Sequence, residues 1–368
     1  MQYDPIHNPS SERPPEIELL RKSVRGPLTK KETKKLNEYF RGPEDYKYAF
    51  ITKTAGDWLR VANDGPKVSN MLFGDFWYQG ELAIMFADTN VGKSILAVQI
   101  GDSLSRSEAI PGFSTARKPE MVLYFDFELS AAQFRQRYSN DDLGDHYFSD
   151  DFLRLVFNPD ANSRKFDTYA EYLNNSIENV LVASKARIMI IDNITCLRSG
   201  TEAAATAISL MRKLQAIKQQ YGLSILVLAH TPKRNPAKPL SRNDLQGSKM
   251  LINFADSAFA IGESQTQKDL RYIKQIKQRS GNQIYGADNV CLCRLVKPQN
   301  FLHFEFTGQA NEAAHLLHYT DQQRKFTENR ILELHKQGIS VRAIESETGI
   351  AYSTVFRLIR KLERVGAV

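Results

Sequence analysis

The stretch Glu81-Leu-Ala-Ile-Met-Phe-Ala-Asp-Thr-Asn-Val-Gly-Lys-Ser94 decides the fold. Leu82 to Phe86 is an unbroken apolar run of the kind a parallel sheet buries on both faces. The chain then turns through Ala87–Val91, reaches Gly92-Lys-Ser94, and enters a helical pattern at Ile95, Leu96, Val98 and Ile100. Strand, loop, Gly-Lys-Ser and helix is the layout of a phosphate-binding loop. A polyphosphate needs several N–H donors aimed at one point, and the first turn of a helix leaves such donors free. On this reading Ala87, Asp88, Thr89, Asn90, Val91, Gly92, Lys93, Ser94 and Ile95 form the nucleotide cradle. Lys93 reaches the β and γ phosphates, and the Ser94 hydroxyl is available to Mg²⁺. Ala87 departs from the usual pattern, which begins with glycine.

Outward from that stretch, other buried strands end in polar residues. Met121-Val-Leu-Tyr-Phe-Asp-Phe-Glu128 ends in a carboxylate, Arg187-Ile-Met-Ile-Ile-Asp192 in an aspartate, and Ser224-Ile-Leu-Val-Leu-Ala-His230 in a histidine. In a parallel α/β sheet such tips line the ligand-binding edge. An apolar strand ending in Asp192 is the usual means of holding Mg²⁺ through water. Leu153–Phe157 is expected as a further strand. Helices are expected at Tyr169–Val182 and Ala203–Tyr221. From Ala258 to Phe306 come short β-runs: Phe259–Gly262, Tyr272–Gln278, Val290–Val296 and Phe301–Phe306.

The 368 residues have room for one large α/β domain and a small one. Hydrophobic content of 42% and charged content of 25% are those of an ordinary globular protein. A net charge of +7 leans modestly towards an anionic partner. The three cysteines, Cys196, Cys291 and Cys293, have neither disulfide nor zinc spacing. Cys291 and Cys293 alternate along an apolar strand and read as core residues in a reducing cytoplasm. The chain start lacks the features of a signal peptide, and no apolar run approaches a membrane span.

The expected organisation is an N-terminal arm with a short basic helix (1–65), an ATPase-type α/β domain (66–308), a polar linker (309–324) and a helical domain (325–368). Thr29-Lys-Lys-Glu32 has the capping-box spacing that starts a helix ending near Phe40. Its lysines read best as a solvated face. Thr231–Gly247 is a basic loop carrying Lys233, Arg234, Lys238 and Arg242, and unstructured stretches of that length usually have a function. The C-terminal region is expected as three helices: Glu328–Lys336, Val341–Thr348 capped by Ser340, and Ser353–Val365. The last two, with Gly349 in the turn and Val355 packing inward, have the layout of a helix-turn-helix. Tyr352, Ser353 and Thr354 would face base edges, and Arg357, Arg360, Lys361 and Arg364 phosphates. Glu345 stands where that motif prefers a small residue. A protein-interaction module is the alternative for this region.

These motifs together resemble the RecA-like ATPases, specifically the DnaB-type hexameric replicative helicase branch. That branch commonly has alanine at the first loop position, as at Ala87. Phe127–Arg137 resembles its second strand motif and following helix. Asp244-Leu-Gln-Gly-Ser248 with Ala255-Asp256 resembles the stretch after its DNA-binding loop, and Lys277-Gln-Arg279-Ser-Gly281 its Lys-x-Arg finger. The resemblance covers about residues 70–306 and leaves out the arm, and no primase-interacting N-terminal domain is recognisable. It implies Glu128 as general base, Ser94 and Asp192 as Mg²⁺ ligands, and His230 as γ-phosphate sensor. It further implies Lys277 and Arg279 acting on a neighbouring subunit's nucleotide, and Lys233, Arg234 and Arg242 carrying the signal to DNA.

The expected function is an ATP-dependent, hexameric, replicative or mobile-element DNA helicase. Single strands would engage its loops and duplex DNA its C-terminal helices. The rival is a DNA-binding regulator or loader that uses ATP as an assembly switch and unwinds nothing. A metabolic kinase is weaker, since no phosphate-accepting pocket is marked.

Overall fold

The computed structural model describes residues 19, 22, 26–40, 54–63, 70–115, 118–161, 166–194, 203–245, 249–318 and 321–364. Cys196, residues 246–248, the side chain of Lys361 and most of the proline-bearing N-terminal stretch lie outside them. The chain forms two compact units, residues 1–68 and 69–368.

The first unit contributes α1 (Lys30–Phe40) and α2 (Ala55–Asn63). The expected capping box is present. The Thr29 N–H donates to the Glu32 carboxylate at 2.9 Å, and the Glu32 N–H donates back to Thr29 Oγ1 at 3.4 Å.

The second unit opens with β1 (Met71–Phe73), β2 (Trp77–Tyr78) and β3 (Leu82–Ala87), followed by α3 (Lys93–Arg106). Next come β4 (Val122–Asp126), α4 (Ala131–Arg137), the small hairpin β5 (Ser139–Asn140) and β6 (Gly144–Asp145), and β7 (Phe152–Leu155). Then follow α5 (Tyr169–Ser184), β8 (Ile188–Asp192), α6 (Ala203–Tyr221) and β9 (Ser224–His230). After the basic loop come α7 (Lys249–Phe254), β10 (Ser257–Glu263), β11 (Leu270–Lys277), β12 (Val290–Val296) and β13 (His303–Ala310). The chain closes with α8 (Asp321–Lys336), α9 (Val341–Thr348) and α10 (Tyr352–Arg364).

Nine strands form one sheet in the order β13-β12-β11-β10-β3-β9-β8-β4-β7. From β10 to β7 neighbours run parallel, and β10 through β13 form an antiparallel meander. The apolar run of β3 sits centrally because both its faces find partners. Leu82, Ile84 and Phe86 pack with Leu173, Ile177 and Leu181 of α5 and with Met211, Leu214 and Ile217 of α6. Ala83, Met85 and Ala87 face Leu96, Ile100 and Leu104 of α3. Helices therefore cover both faces of the mostly parallel sheet, which is the RecA-like α/β arrangement expected. Burying one such side chain fully is worth about 1.5–3 kcal/mol, so a charge in β3 would break the domain. Cys291 and Cys293 are buried free thiols, and desolvation pushes the Cys291 thiol up to about 12.

Two boundaries differ from expectation. Residues 309–316 are part of the α/β body and not a free linker: 309 and 310 complete β13, and a 3₁₀ turn follows. β13 runs to Ala310, and in the following 3₁₀ turn Glu312 and His315 are buried. The Glu312 carboxylate is drawn inside by the Lys274 ammonium and by the Leu240 N–H, which donates at 2.7 Å. A buried lysine needs such a partner. α8 also begins at Asp321, ahead of the expected Glu328, because Gln322, Gln323, Arg324 and Lys325 are all good helix formers.

Around α8, α9 and α10 a separate core gathers Ile331, Leu334, Ile344, Val355 and Ile359. The Ser340 hydroxyl caps α9, and Gly349 ends it in the left-handed conformation, φ 71°.

Candidate nucleotide site

Ala87 is the last residue of β3, in register with His230 on β9 and Ile261 on β10. An ordinary strand position does not require glycine, which is why alanine serves here. Gly92 is different. Its φ of 112° suits glycine, and a Cβ there would meet the Phe304 ring at 2.8 Å. α3 is clamped to that ring's strand by Gln99, whose amide donates to the Phe304 carbonyl at 3.0 Å and accepts from its N–H at 2.9 Å. Gly92 is also the N-cap of α3 and offers no side-chain cap. The first N–H donors of α3 are thus not taken by a capping side chain, and with the helix dipole they form an anion site. Asp88, Thr89 and Asn90 are exposed around it.

The Lys93 ammonium donates to the carbonyls of Ala87 at 3.1 Å and Asp88 at 2.9 Å, and lies 3.2 Å from His230 Nδ1. Burial pulls its pKa below the ordinary lysine value, against the charges of Asp192, Glu128 and Asp88. An ammonium only donates, so Nδ1 of His230 accepts, and the other ring nitrogen, Nε2, faces Glu128 and the Asn193 amide. That nitrogen lies 3.3 Å from Glu128 Oε1. Asn193 completes the group: its amide nitrogen donates to the same carboxylate oxygen and lies 3.0 Å from His230 Nε2. A continuous polar chain joins Lys93, His230 and Glu128.

Asp192 closes β8 and is 1% exposed. Tyr124 donates its hydroxyl to Oδ2 at 2.8 Å, while Oδ1 is buried without a hydrogen-bond partner. Burial pushes the carboxyl up to about 6; the Ser94 and Tyr124 hydroxyls pull it down, and the charges of Glu128 and Asp126 push it further up. A buried carboxylate oxygen with no donor, beside a serine hydroxyl, fits Mg²⁺. Among the described residues no cluster of three or more His, Cys, Asp or Glu side chains makes an all-protein metal cage. Mg²⁺ does not need one, since it takes one or two protein oxygens and completes its shell with phosphates and water.

Three positioning residues escape a reading of sequence. Asp126 is 1% exposed, accepts from the N–H groups of Glu128 at 3.2 Å and Leu129 at 3.0 Å, and pairs with Arg154 Nε at 2.8 Å. Arg154 also donates to the Leu129 carbonyl at 2.6 Å. Together they hold the turn carrying Glu128. The visible signal was a second carboxylate, Asp126, in Phe125-Asp-Phe-Glu128. Asn193 had only its place after Asp192.

The remaining expected residues lie elsewhere. The Lys277 ammonium donates to the carbonyls of Ile252 at 2.7 Å and Ala255 at 2.6 Å, capping the end of α7. Arg279 donates to Asn253 O at 3.2 Å and pairs with Asp256 at 3.3 Å. Both lie at the sheet edge opposite the phosphate loop. In the basic loop Lys233, Lys238 and Arg242 are exposed. Arg234 is not: its side chain is 15% exposed, 3.7 Å from Asp244, and donates to the Lys238 carbonyl. Expected at DNA, Arg234 turns inward because Asp244 and Tyr272 supply polar partners under the loop. On α10, Tyr352, Ser353, Arg357 and Arg360 are exposed and Thr354 is half-buried.

The sequence model of the AAA domain family matches residues 53–236, half of the chain. The chain belongs to that family, and its fold and phosphate loop make it a RecA-like P-loop ATPase. No curated protein matches it in sequence. Among solved structures it is similar to the KaiC-like protein PH0186 of the hyperthermophilic archaeon Pyrococcus horikoshii OT3. The match covers 62% of this chain and 91% of that one, with 15% identity and a TM-score of 0.42. No described helix is long and apolar enough to cross a membrane.

Proposed function

We propose that this ATPase is an oligomeric motor acting on DNA, in the manner of a replicative or mobile-element helicase. The observation that carries the reading is the polar chain from Lys93 through His230 to Glu128, because His230 runs directly into the loop bearing Lys233, Lys238 and Arg242. One residue thus touches the phosphate-binding lysine, the candidate base and the start of the candidate DNA loop.

ATP enters as substrate. The free N–H groups of α3 take its phosphates, and the Lys93 ammonium exchanges the Ala87 and Asp88 carbonyls for phosphate oxygens. That exchange removes the donor from His230 Nδ1 and frees the ring to respond to the γ-phosphate. Glu128 accepts the proton of the attacking water, and Asn193 and the Asp126–Arg154 pair keep its carboxylate in place. Ser94 and Asp192 would hold Mg²⁺, which supplies charge neutralisation at the β and γ oxygens.

Lys277 and Arg279 serve a neighbouring protomer on this account. Lys277 is in register with Ala258, and Ala258 with Ile84, three residues short of Ala87. That is about 10 Å of strand, with both side chains tied to the far edge. Both are tied away from their own phosphate loop, and on this proposal the nucleotide they serve is that of a second copy. An arginine supplied in this way contributes about 10³–10⁵ in rate. The C-terminal helices are the second DNA contact.

Phosphate release measured with and without single-stranded DNA, beside light scattering with a non-hydrolysable ATP analogue, tests the proposal. DNA-stimulated turnover by a closed oligomer is the expected result. ATP binding that assembles the protein without DNA-stimulated turnover would favour the rival, an ATP-switched regulator or loader.

A further inference from the structure

The outward face of α10 carries large aromatic side chains that the chemistry above does not use. Val355 and Ile359 point into the three-helix core, at 0% and 4% exposure, while Tyr352 and Phe356 are 44% and 42% exposed. Their rings are stacked, with centroids 6.1 Å apart and planes 7° from parallel. One turn further, the Arg360 guanidinium lies 5.3 Å over the Phe356 ring. Positions 352, 356 and 360 recur every four residues, so the ladder runs along one side of the helix. Arg357 is exposed beside it, and no acidic residue occurs between 352 and 360.

The amino end of α10 is unsuited to phosphate. Glu345 accepts the Tyr352 N–H at 2.8 Å, placing a carboxylate where the helix dipole would otherwise attract an anion. A helix reading a duplex uses that end and polar side chains against base edges. Aromatic rings aligned with a guanidinium, beside positive charge, suit unpaired bases, which offer flat faces and a phosphate backbone. The surface continues towards the motor. The Lys233 ammonium lies against the turn entering α10, 3.6 Å from where a side chain at Gly349 would begin. The segment leading into α8 is tied to the same loop, with the Leu317 N–H donating to the Pro236 carbonyl at 3.1 Å.

We infer that the Tyr352–Phe356–Arg360 ladder is a stacking platform for single-stranded nucleic acid, continuous with Lys233 of the loop that follows His230. The inference rests on the reading of the chain as a DNA-acting ATPase. It replaces the expected duplex contact at α10 with a path for one strand, from the C-terminal helices onto the loop coupled to the nucleotide.

The test is fluorescence anisotropy of the full chain with a labelled oligothymidylate and with a duplex, in a non-hydrolysable ATP analogue, over a range of salt. The oligonucleotide binds more tightly than the duplex. Phe356→Ala weakens it about 5- to 100-fold at every salt concentration, as loss of one stacked base does. Phe356→Tyr keeps the affinity, and Arg357→Ala lowers the salt slope. Binding of a fluorescent ATP analogue is unchanged in all three variants. Tighter duplex binding, or an oligonucleotide affinity indifferent to Phe356→Ala, overturns the platform alone and leaves a duplex or protein contact at α10. Wild-type protein that binds the ATP analogue but neither DNA form overturns the DNA reading itself.

Discussion

Lys93 Nζ and His230 Nδ1 lie 3.2 Å apart, although 137 residues separate them in the chain. The pairing exists because β3 and β9 are parallel neighbours in register at Ala87 and His230, so the loop lysine and the strand-end histidine share one sheet edge. A lysine held by two carbonyls and an imidazole is preorganised to be taken over by phosphate. His230→Ala is therefore expected to retain ATP binding, measured by fluorescence of an analogue. Turnover falls about 10²-fold and stimulation by DNA disappears. Full DNA stimulation in the variant would separate His230 from signalling.

Lys93→Ala removes the loop ammonium proposed to meet the phosphates. Nucleotide binding or turnover is expected to vanish, read by isothermal titration and phosphate release. Retained ATPase activity would remove the phosphate-loop assignment.

Arg279→Ala should bind ATP and hydrolyse it poorly, by about 10³-fold if it acts as a finger. Because the residue would serve a neighbour, mixing this variant with Glu128→Gln subunits should restore part of the rate. No recovery at any ratio would contradict an interface site.

Asp256 supports a pH prediction. Burial works to raise its carboxyl, but the Lys218 ammonium, the Leu82 N–H and Arg279 overcome it and hold the pKa below the ordinary value. The contribution to stability is therefore complete above the unfolded pKa of about 3.9 and is lost as pH falls through the lower folded value. Asp256→Asn should cost about 2 kcal/mol at neutral pH, the scale of a hydrogen bond to a charged group. Thermal unfolding should show the deficit shrinking below about pH 4, once the wild-type carboxyl protonates too. A deficit independent of pH would mean that charge plays no part.

The shared edge of the strand tips was legible because buried strands leave so little choice. A run such as Ile188–Ile191 can be polar only at its tip, so Glu128, Asp192 and His230 stood out. What stayed hidden depends on distant pairing. Asp126 matters through Arg154, 28 residues away, and Glu312 is buried only because Lys274, 38 residues before it, needs a counter-charge. Polar composition made 309–316 look like linker, although one glutamate anchors it. The inward turn of Arg234 was hidden for the same reason, since nothing local announces Asp244 and Tyr272 beneath the loop. Tyr352 was expected at base edges; its stacking on Phe356 and the approach of Lys233 depend on how the helices fold.

The central claim is that the tips of β3, β8 and β9 and the turn after β4 form one hydrolytic site. Glu128→Gln tests it most directly, with binding of a fluorescent ATP analogue and single-turnover phosphate release measured on the same preparation. The account predicts unchanged nucleotide affinity with release slowed about 10²–10⁴-fold, the loss expected when a general base is removed. Phosphate release at the wild-type rate would contradict it.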